Sequence, residues 1–171
     1  LEKPVSADLA GARSALTMVE AAEKEGTSRV IINHERRFSD NYRHLRASIA
    51  GNEFGTLKAL HCRLYMGRTK KPAQVLWHDG THLVDIITFL AGSWEVTAVH
   101  GDSADTAAPF LTVGKTLSRN EPALITLDCS PGRDYLSFEL DGEFFSGRVR
   151  IGNGIWETWK SMPSPYYESF R

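Results

Sequence analysis

Around Gly92 the spacing of apolar side chains changes, and that change limits the folds open to this chain. Before it, Leu9, Ala12, Leu16 and Val19 recur every third or fourth residue; so do Tyr42, Leu45 and Ile49, and then Leu83, Ile86, Ile87 and Leu90. This is the period of helices that bury one face. After it, residues 95–100, 123–129, 135–140, 144–151 and 155–159 read as strands, the second and third with clean apolar–polar alternation. Two further strands lie between the helices, a short apolar one at 29–33 and a longer one at 56–66. Ser6 is placed to cap the first helix, with Asp8 in its first turn and Gly26 past its end. Ser39 or Asp40 opens the second, which stops before Gly51, and the third follows Asp79. Asp141-Gly142 reads as a hairpin turn, because both central residues of that turn take positive φ. Helix, strand, helix, strand, helix and then a meander predict an α+β fold: an open, mainly antiparallel sheet with helices on one face. The first helix and the 29–33 strand stand apart and read as the last crossover and strand of a parallel sheet.

With 42% hydrophobic and 24% charged residues in 171, the chain can bury a core as a soluble globular protein. A net charge of −1 argues against nucleic acid or a membrane surface as partner. No apolar run approaches a membrane span, and the amphipathic start does not read as a signal peptide. Cys62 and Cys129 are isolated and are expected to be reduced core thiols, as in the cytoplasm.

Chemistry concentrates in two places. In Glu2-Lys3-Pro4, proline biases Lys3 to an extended conformation just before a helix. A lysine so presented suits proton chemistry or the holding of a substrate hydroxyl. The second place is Trp77-His78-Asp79-Gly80-Thr81-His82-Leu83-Val84-Asp85. His78, His82 and Asp85 at i, i+4 and i+7 share a face if the helix starts early enough. A histidine there can take a proton from an alcohol or return it to a carbonyl, and a nearby carboxylate fixes its tautomer. Asp79 serves equally well as a helix N-cap, and Asp85 as a partly buried hydrogen-bonding residue. Trp77 could stack on a pyranose or anchor the helix in the core. One of Arg36 and Arg37 could fork onto a substrate carboxylate or phosphate, although a salt bridge at a domain junction or plain surface charge is favoured. Lys70 and Lys71 read as solvated charge, and Trp94, Trp156 and Trp159 as sheet-face or interface residues.

Taken in order, Glu2-Lys3-Pro4, a strand running into Asn33-His34-Glu35-Arg36-Arg37-Phe38, Gly55-Thr56-Leu57 and Asp79-Gly80-Thr81-His82-Leu83-Val84-Asp85 resemble the glucose–fructose oxidoreductase and inositol dehydrogenase family (Gfo/Idh/MocA). The resemblance runs from Glu2 to about Trp159. It implies a Rossmann NAD(P)-binding domain joined to a substrate domain with an open antiparallel sheet. On that basis Lys3, His82 and Asp79 are the catalytic candidates. Arg37, Trp77, His78 and Asp85 are candidates for substrate binding, and Glu2, Lys3 and Pro4 for the nicotinamide side of the cofactor. No metal is expected. The implied substrate is a sugar, inositol or related polyol, and the open sheet face implies a homo-oligomer.

Two departures qualify the match. Family members carry a carboxylate four residues before the histidine, where this chain has His78; Asp79 is displaced by one. Nor do Gly51, Gly55 and Gly67 form the glycine-rich fingerprint that cradles a pyrophosphate. The expected organisation is therefore 1–34 as the terminal helix–strand piece of a dinucleotide-binding domain, 35–162 as the substrate and oligomerisation domain, and 163–171 as an irregular tail. NAD or NADP is expected in the intact protein, with none held by this chain alone. Two other functions remain open from sequence: a non-catalytic dimerisation or ligand-binding module, and a metal-dependent hydrolase using His78, His82 and Asp85.

Overall fold

Seven segments pair into one sheet: β1 (Leu57–Met66), β2 (Trp94–His100), β3 (Leu111–Thr116), β4 (Leu124–Asp128), β5 (Leu136–Phe144), β6 (Gly147–Gly152) and β7 (Ile155–Lys160). The computed structural model describes residues 2–66, 71–102, 109–117, 121–130 and 135–161. The tail at 163–171 and Lys70 lie outside the described residues. The strand order is β2-β3-β4-β1-β5-β6-β7. The β1–β4 pair is parallel and the other five pairs are antiparallel, so the sheet is mixed but mainly antiparallel, as expected.

Alternation gives the sheet two different faces. Leu60, Cys62 and Leu64 of β1, Ile125 and Leu127 of β4, Leu140 of β5, and Val149 and Ile151 of β6 are buried in one core cluster. Against them pack Leu45 of α2 (Asp40–Ala50) and Leu83, Ile86 and Ile87 of α4 (Thr81–Ala91). Each such side chain contributes about 1.5–3 kcal/mol on burial. The intervening positions are polar and paired: Tyr65 donates to Asp128 (2.7 Å), His61 Nδ1 shares a hydrogen bond with Thr126 (2.9 Å), and Arg63 and Arg148 hold Asp141 (2.9 and 3.0 Å). Helices thus cover one face only.

Several local expectations are corrected. Asp141-Gly142 is not a turn; it lies inside β5, opposite His61 and Leu60. Two arginines compensate the buried Asp141 carboxylate, and Gly142 leaves room for the Phe144 ring, 3.1 Å from where a Cβ would stand. The positive-φ hairpin pair is instead Asn153-Gly154 (φ 45° and 85°), between β6 and β7. Residues 29–33 form no strand, and Ile31 is 80% exposed. Helix α1 (Leu9–Lys24) is capped by Asp8, whose Oδ1 accepts from the Gly11 amide (2.7 Å); Ser6 sits two residues earlier, and its Oγ accepts from the Asp8 amide. α1 buries no residue. Strand β3 was not expected. Gly114 breaks its apolar pattern, and that glycine is required because the Glu95 carbonyl lies 2.4 Å from where a Cβ would be.

Candidate active site

The helix expected to begin after Asp79 begins a full two turns earlier. Pro72 opens α3 (Pro72–Val75), the position where its missing N–H costs nothing. The chain then widens into one π turn, Leu76–Gly80, and runs on as α4. Asp79 therefore sits inside continuous helix and caps nothing. Wide turns of this kind re-aim side chains and backbone groups. Here the turn offers two oxygens to one cation: Lys3 Nζ donates to the His78 carbonyl (2.6 Å) and lies 3.9 Å from Asp79 Oδ1. The segment carrying Lys3 is held in place by Trp77 Nε1, which donates to the Ser6 carbonyl (2.9 Å), and by Asn33, which donates to Glu2 (3.0 Å).

One helical turn on, His82 is buried. Its Nε2 is 3.6 Å from Glu35 Oε1, and its ring meets the edge of His34 at 5.9 Å. Burial pushes the imidazole below its ordinary value near 6.5; Glu35 opposes that shift, while Lys3, Arg36 and His34 reinforce it. At neutral pH the ring is uncharged and able to accept a proton. Its Nδ1 is buried without a hydrogen-bond partner.

Asp85 goes elsewhere. It takes a two-pronged grip from Arg37, Nε at 2.7 Å and Nη2 at 2.6 Å, and lies 3.9 Å from His34 Nε2. This hydrogen-bonded carboxylate raises the Arg37 guanidinium above its usual value. Arg37 is thus engaged in a salt bridge inside the 35–162 segment, and its fork is already filled.

Two hollows flank these groups. One, of about 290 Å³, is lined by Asp79, His82, Arg36, Leu64, Met66, Ser137, Phe138 and Asn153. The other, of about 460 Å³, is mostly apolar and is bordered by Lys3, Pro4, Ile32, His34, Trp77 and Asp85. Lys3, Asp79 and His82 are therefore neighbours, with Asp79 joining the ammonium to the His82 cleft. Trp77 and Asp85 face the second hollow. The His78 side chain is exposed, and only its carbonyl serves the site. His78, His82 and Asp85 do not act from one shared face: His78 lies in the π turn with its side chain exposed, His82 lines the first hollow, and Asp85 turns to Arg37 and the second. Among the described residues no three His, Cys, Asp or Glu side chains are grouped to hold a metal ion, so the hydrolase alternative lacks its ligand set.

His34, Glu35, Arg36, Ser137 and Asn153 were not chosen from sequence. The first three lie in or beside the 3₁₀ turn Glu35–Phe38, where successive residues diverge by about 120°. That divergence sends Arg36 to the cleft and Arg37 to Asp85. Twin arginines gave no basis for telling them apart.

No protein-family model and no curated protein matches the sequence. Solved structures do match the fold. The WlbA dehydrogenase from Bordetella pertussis, in complex with NADH and UDP-GlcNAcA, superposes with a TM-score of 0.73 at 15% identity, covering 98% of this chain and 53% of that one. An oxidoreductase from Sinorhizobium meliloti gives 0.70 at 13% identity, covering 98% and 52%. The dehydrogenase MviM from Clostridium difficile gives 0.62 at 14% identity, covering 94% and 54%. The chain has the fold of the C-terminal half of such oxidoreductases and spans about half their length. The sequence resemblance is met at the level of the fold. No helix among the described residues is long and apolar enough to cross a membrane.

Proposed function

We propose that this chain is the substrate-binding part of an NAD(P)-dependent oxidoreductase that moves a hydride between the cofactor and a carbon of a sugar, inositol or related polyol. The observation that carries the proposal is the proximity of an ammonium, a carboxylate and an imidazole: Lys3 lies 3.9 Å from Asp79, and Asp79 lines the same cleft as the uncharged His82. These are the groups that alcohol oxidation requires. His82 takes the hydroxyl proton. Lys3 has three donors and uses one on the His78 carbonyl, leaving others for the substrate oxygen as negative charge grows there. Asp79 balances the Lys3 charge and holds the ammonium at the cleft.

NAD(P), bound beside this chain, supplies the hydride acceptor. The chain's share of that site is the edge at Glu2, Lys3 and Pro4. The mostly apolar hollow next to them suits a flat ring. Solved structures of this fold include one holding NADH with a sugar nucleotide. The bare apolar positions Leu9, Leu16 and Met18 on α1, 56–70% exposed, support reading 1–34 as the end of a nucleotide-binding domain, with 35–162 as the substrate domain. The polar open sheet face is the surface for a second copy of the chain.

The experiment is to join the chain to a nucleotide-binding half encoded upstream and to follow NAD(P)H absorbance with a panel of polyols. Turnover that falls by about 10²–10⁴ in His82→Ala is the expected result. Unchanged turnover in that variant rejects the role of His82.

A further inference from the structure

We propose that the cleft beside His82 recognises a carboxylate through Arg36, and that the substrate is an acidic polyol such as a sugar acid. The identity of the reacting hydroxyl rests on the hydride-transfer reading above; the carboxylate site does not.

Arg37, Arg63, Arg148 and Arg150 each pair with a carboxylate. Arg36 pairs with none among the described residues, and its Nε is buried without a hydrogen bond. Its guanidinium lies flat over Phe138, 3.6 Å from the ring centroid. Stacking covers the face of the group and leaves its edge, where the N–H donors are, for a ligand. Ser137 Oγ and His82 Nδ1 are likewise buried and unpartnered, and both residues line the same 290 Å³ cleft. Buried polar atoms are rarely left unsatisfied. The three residues that carry them border one hollow, whose wall therefore suits a ligand with several polar atoms.

Charge selects among anions. One unpaired guanidinium balances one negative charge, and its forked donors match the two oxygens of a carboxylate. A phosphate monoester would bring nearly two charges into a cleft that Asp79 also lines. A smaller hollow of about 220 Å³ continues past Arg36 and Phe138 to Ser39, Asn41 and Asn153, which suits the uncharged hydroxyls of the same molecule.

The first test is direct binding to the full chain by NMR. The Nε–Hε signal of Arg36, assigned by its loss in Arg36→Lys, is followed while D-glucuronate, D-galacturonate and D-gluconate are added. D-glucose, D-galactose and D-glucitol are the neutral controls, and glucose 6-phosphate is a further arm. The acids are expected to shift the signal and the neutral compounds to leave it. Binding should fall about 10- to 100-fold in Arg36→Ala, as for loss of a charged hydrogen bond, with partial retention in Arg36→Lys. No shift with any acid, an equal shift with the neutral compounds, or a shift with the phosphate alone overturns the proposal. The second test is kinetic, with the nucleotide-binding half joined. A higher kcat/KM for acids, lost in Arg36→Ala mainly through KM, supports it. Neutral polyols turned over equally well, with Arg36→Ala unaffected, overturn it while the hydride-transfer reading stands. Acids that bind without forming NAD(P)H leave the carboxylate site standing and remove that reading instead.

Discussion

On the hydride-transfer reading proposed above, replacing Glu35 with glutamine should raise activity at acid pH. As the proposed base, His82 must be uncharged, and burial already holds its pKa below the ordinary value near 6.5. Glu35 pulls the other way, because its carboxylate, 3.6 Å from Nε2, favours the imidazolium. Glu35 is 61% exposed, so the water-like limit applies: unit charges about 4 Å apart interact by about 1 kcal/mol. That is about fivefold in the protonation constant of His82. The acid limb of kcat/KM therefore moves to lower pH in Glu35→Gln. On that limb the variant outruns the parent by up to about fivefold, and at about pH 8 the two coincide. Added salt should shrink the difference. The stability effect has the opposite sense. As pH falls from 6.5 towards the lower folded-state pKa, the unfolded chain binds the proton first and folding stability drops; Glu35→Gln deepens that drop. The assay is kcat/KM between about pH 5 and about pH 9 on the protein with its nucleotide-binding half, paired with urea unfolding over the same range. A limb that stays put or moves up refutes the electrostatic account. A loss of rate at every pH would mean that Glu35 takes part in the chemistry.

Three other perturbations follow from the same geometry. Arg37→Ala leaves the largely buried Asp85 side chain without its forked partner and should cost about 3 kcal/mol, the low end for a broken buried pair because Arg37 is itself 42% exposed; urea unfolding measures it, and a cost below about 1 kcal/mol would mean that water replaces the guanidinium. Cys62 and Cys129 are buried, and burial pushes both thiols up, Cys129 to about 12, so neither should react with an aromatic disulfide reagent at about pH 8 until the chain unfolds. Helix α1 buries nothing, so its amides should exchange with solvent orders of magnitude faster than those of α4, and should slow once the nucleotide-binding half is attached; equal protection of the two helices in this chain would contradict the fold.

Much of this was legible because period and environment agree. α2, α4, β1, β4 and the start of β5 carry apolar residues at the spacing of the face they bury, and each was expected within a residue or two. Failures came where a neighbour distant in sequence decides. Asp-Gly and Asn-Gly are equal hairpin signals, yet Asp141-Gly142 is strand and Asn153-Gly154 is turn. The choice is made by Arg63 and Arg148, which compensate the Asp141 charge from adjacent strands. Gly114 hid β3 because its reason for being glycine, the Glu95 backbone, is fixed only by pairing. Residues 29–33 have a strand's composition but are not in a strand. The start of the helix that carries His82 was mistaken because Asp79 is a good cap by type, whereas the helical run begins at Pro72.

The site shows the same limit more sharply. Lys3 and His82 could be brought together from motif spacing, since each is marked by its own surroundings in the sequence. Arg36 and Arg37 could not be separated that way. They differ only in which side of a 3₁₀ turn they occupy, and that turn is set by how residues 34–38 pack between α4 and β5, against Asp85 at one end and Phe138 at the other. One arginine becomes part of the frame and its neighbour faces the cleft. On the two proposals above, the reacting end of the substrate is specified by residues that sequence reveals singly, and its selectivity by a residue that only tertiary packing distinguishes. Relatives that keep Lys3 and His82 but change position 36 or position 138 should therefore share the reaction and differ in whether they accept an acidic substrate.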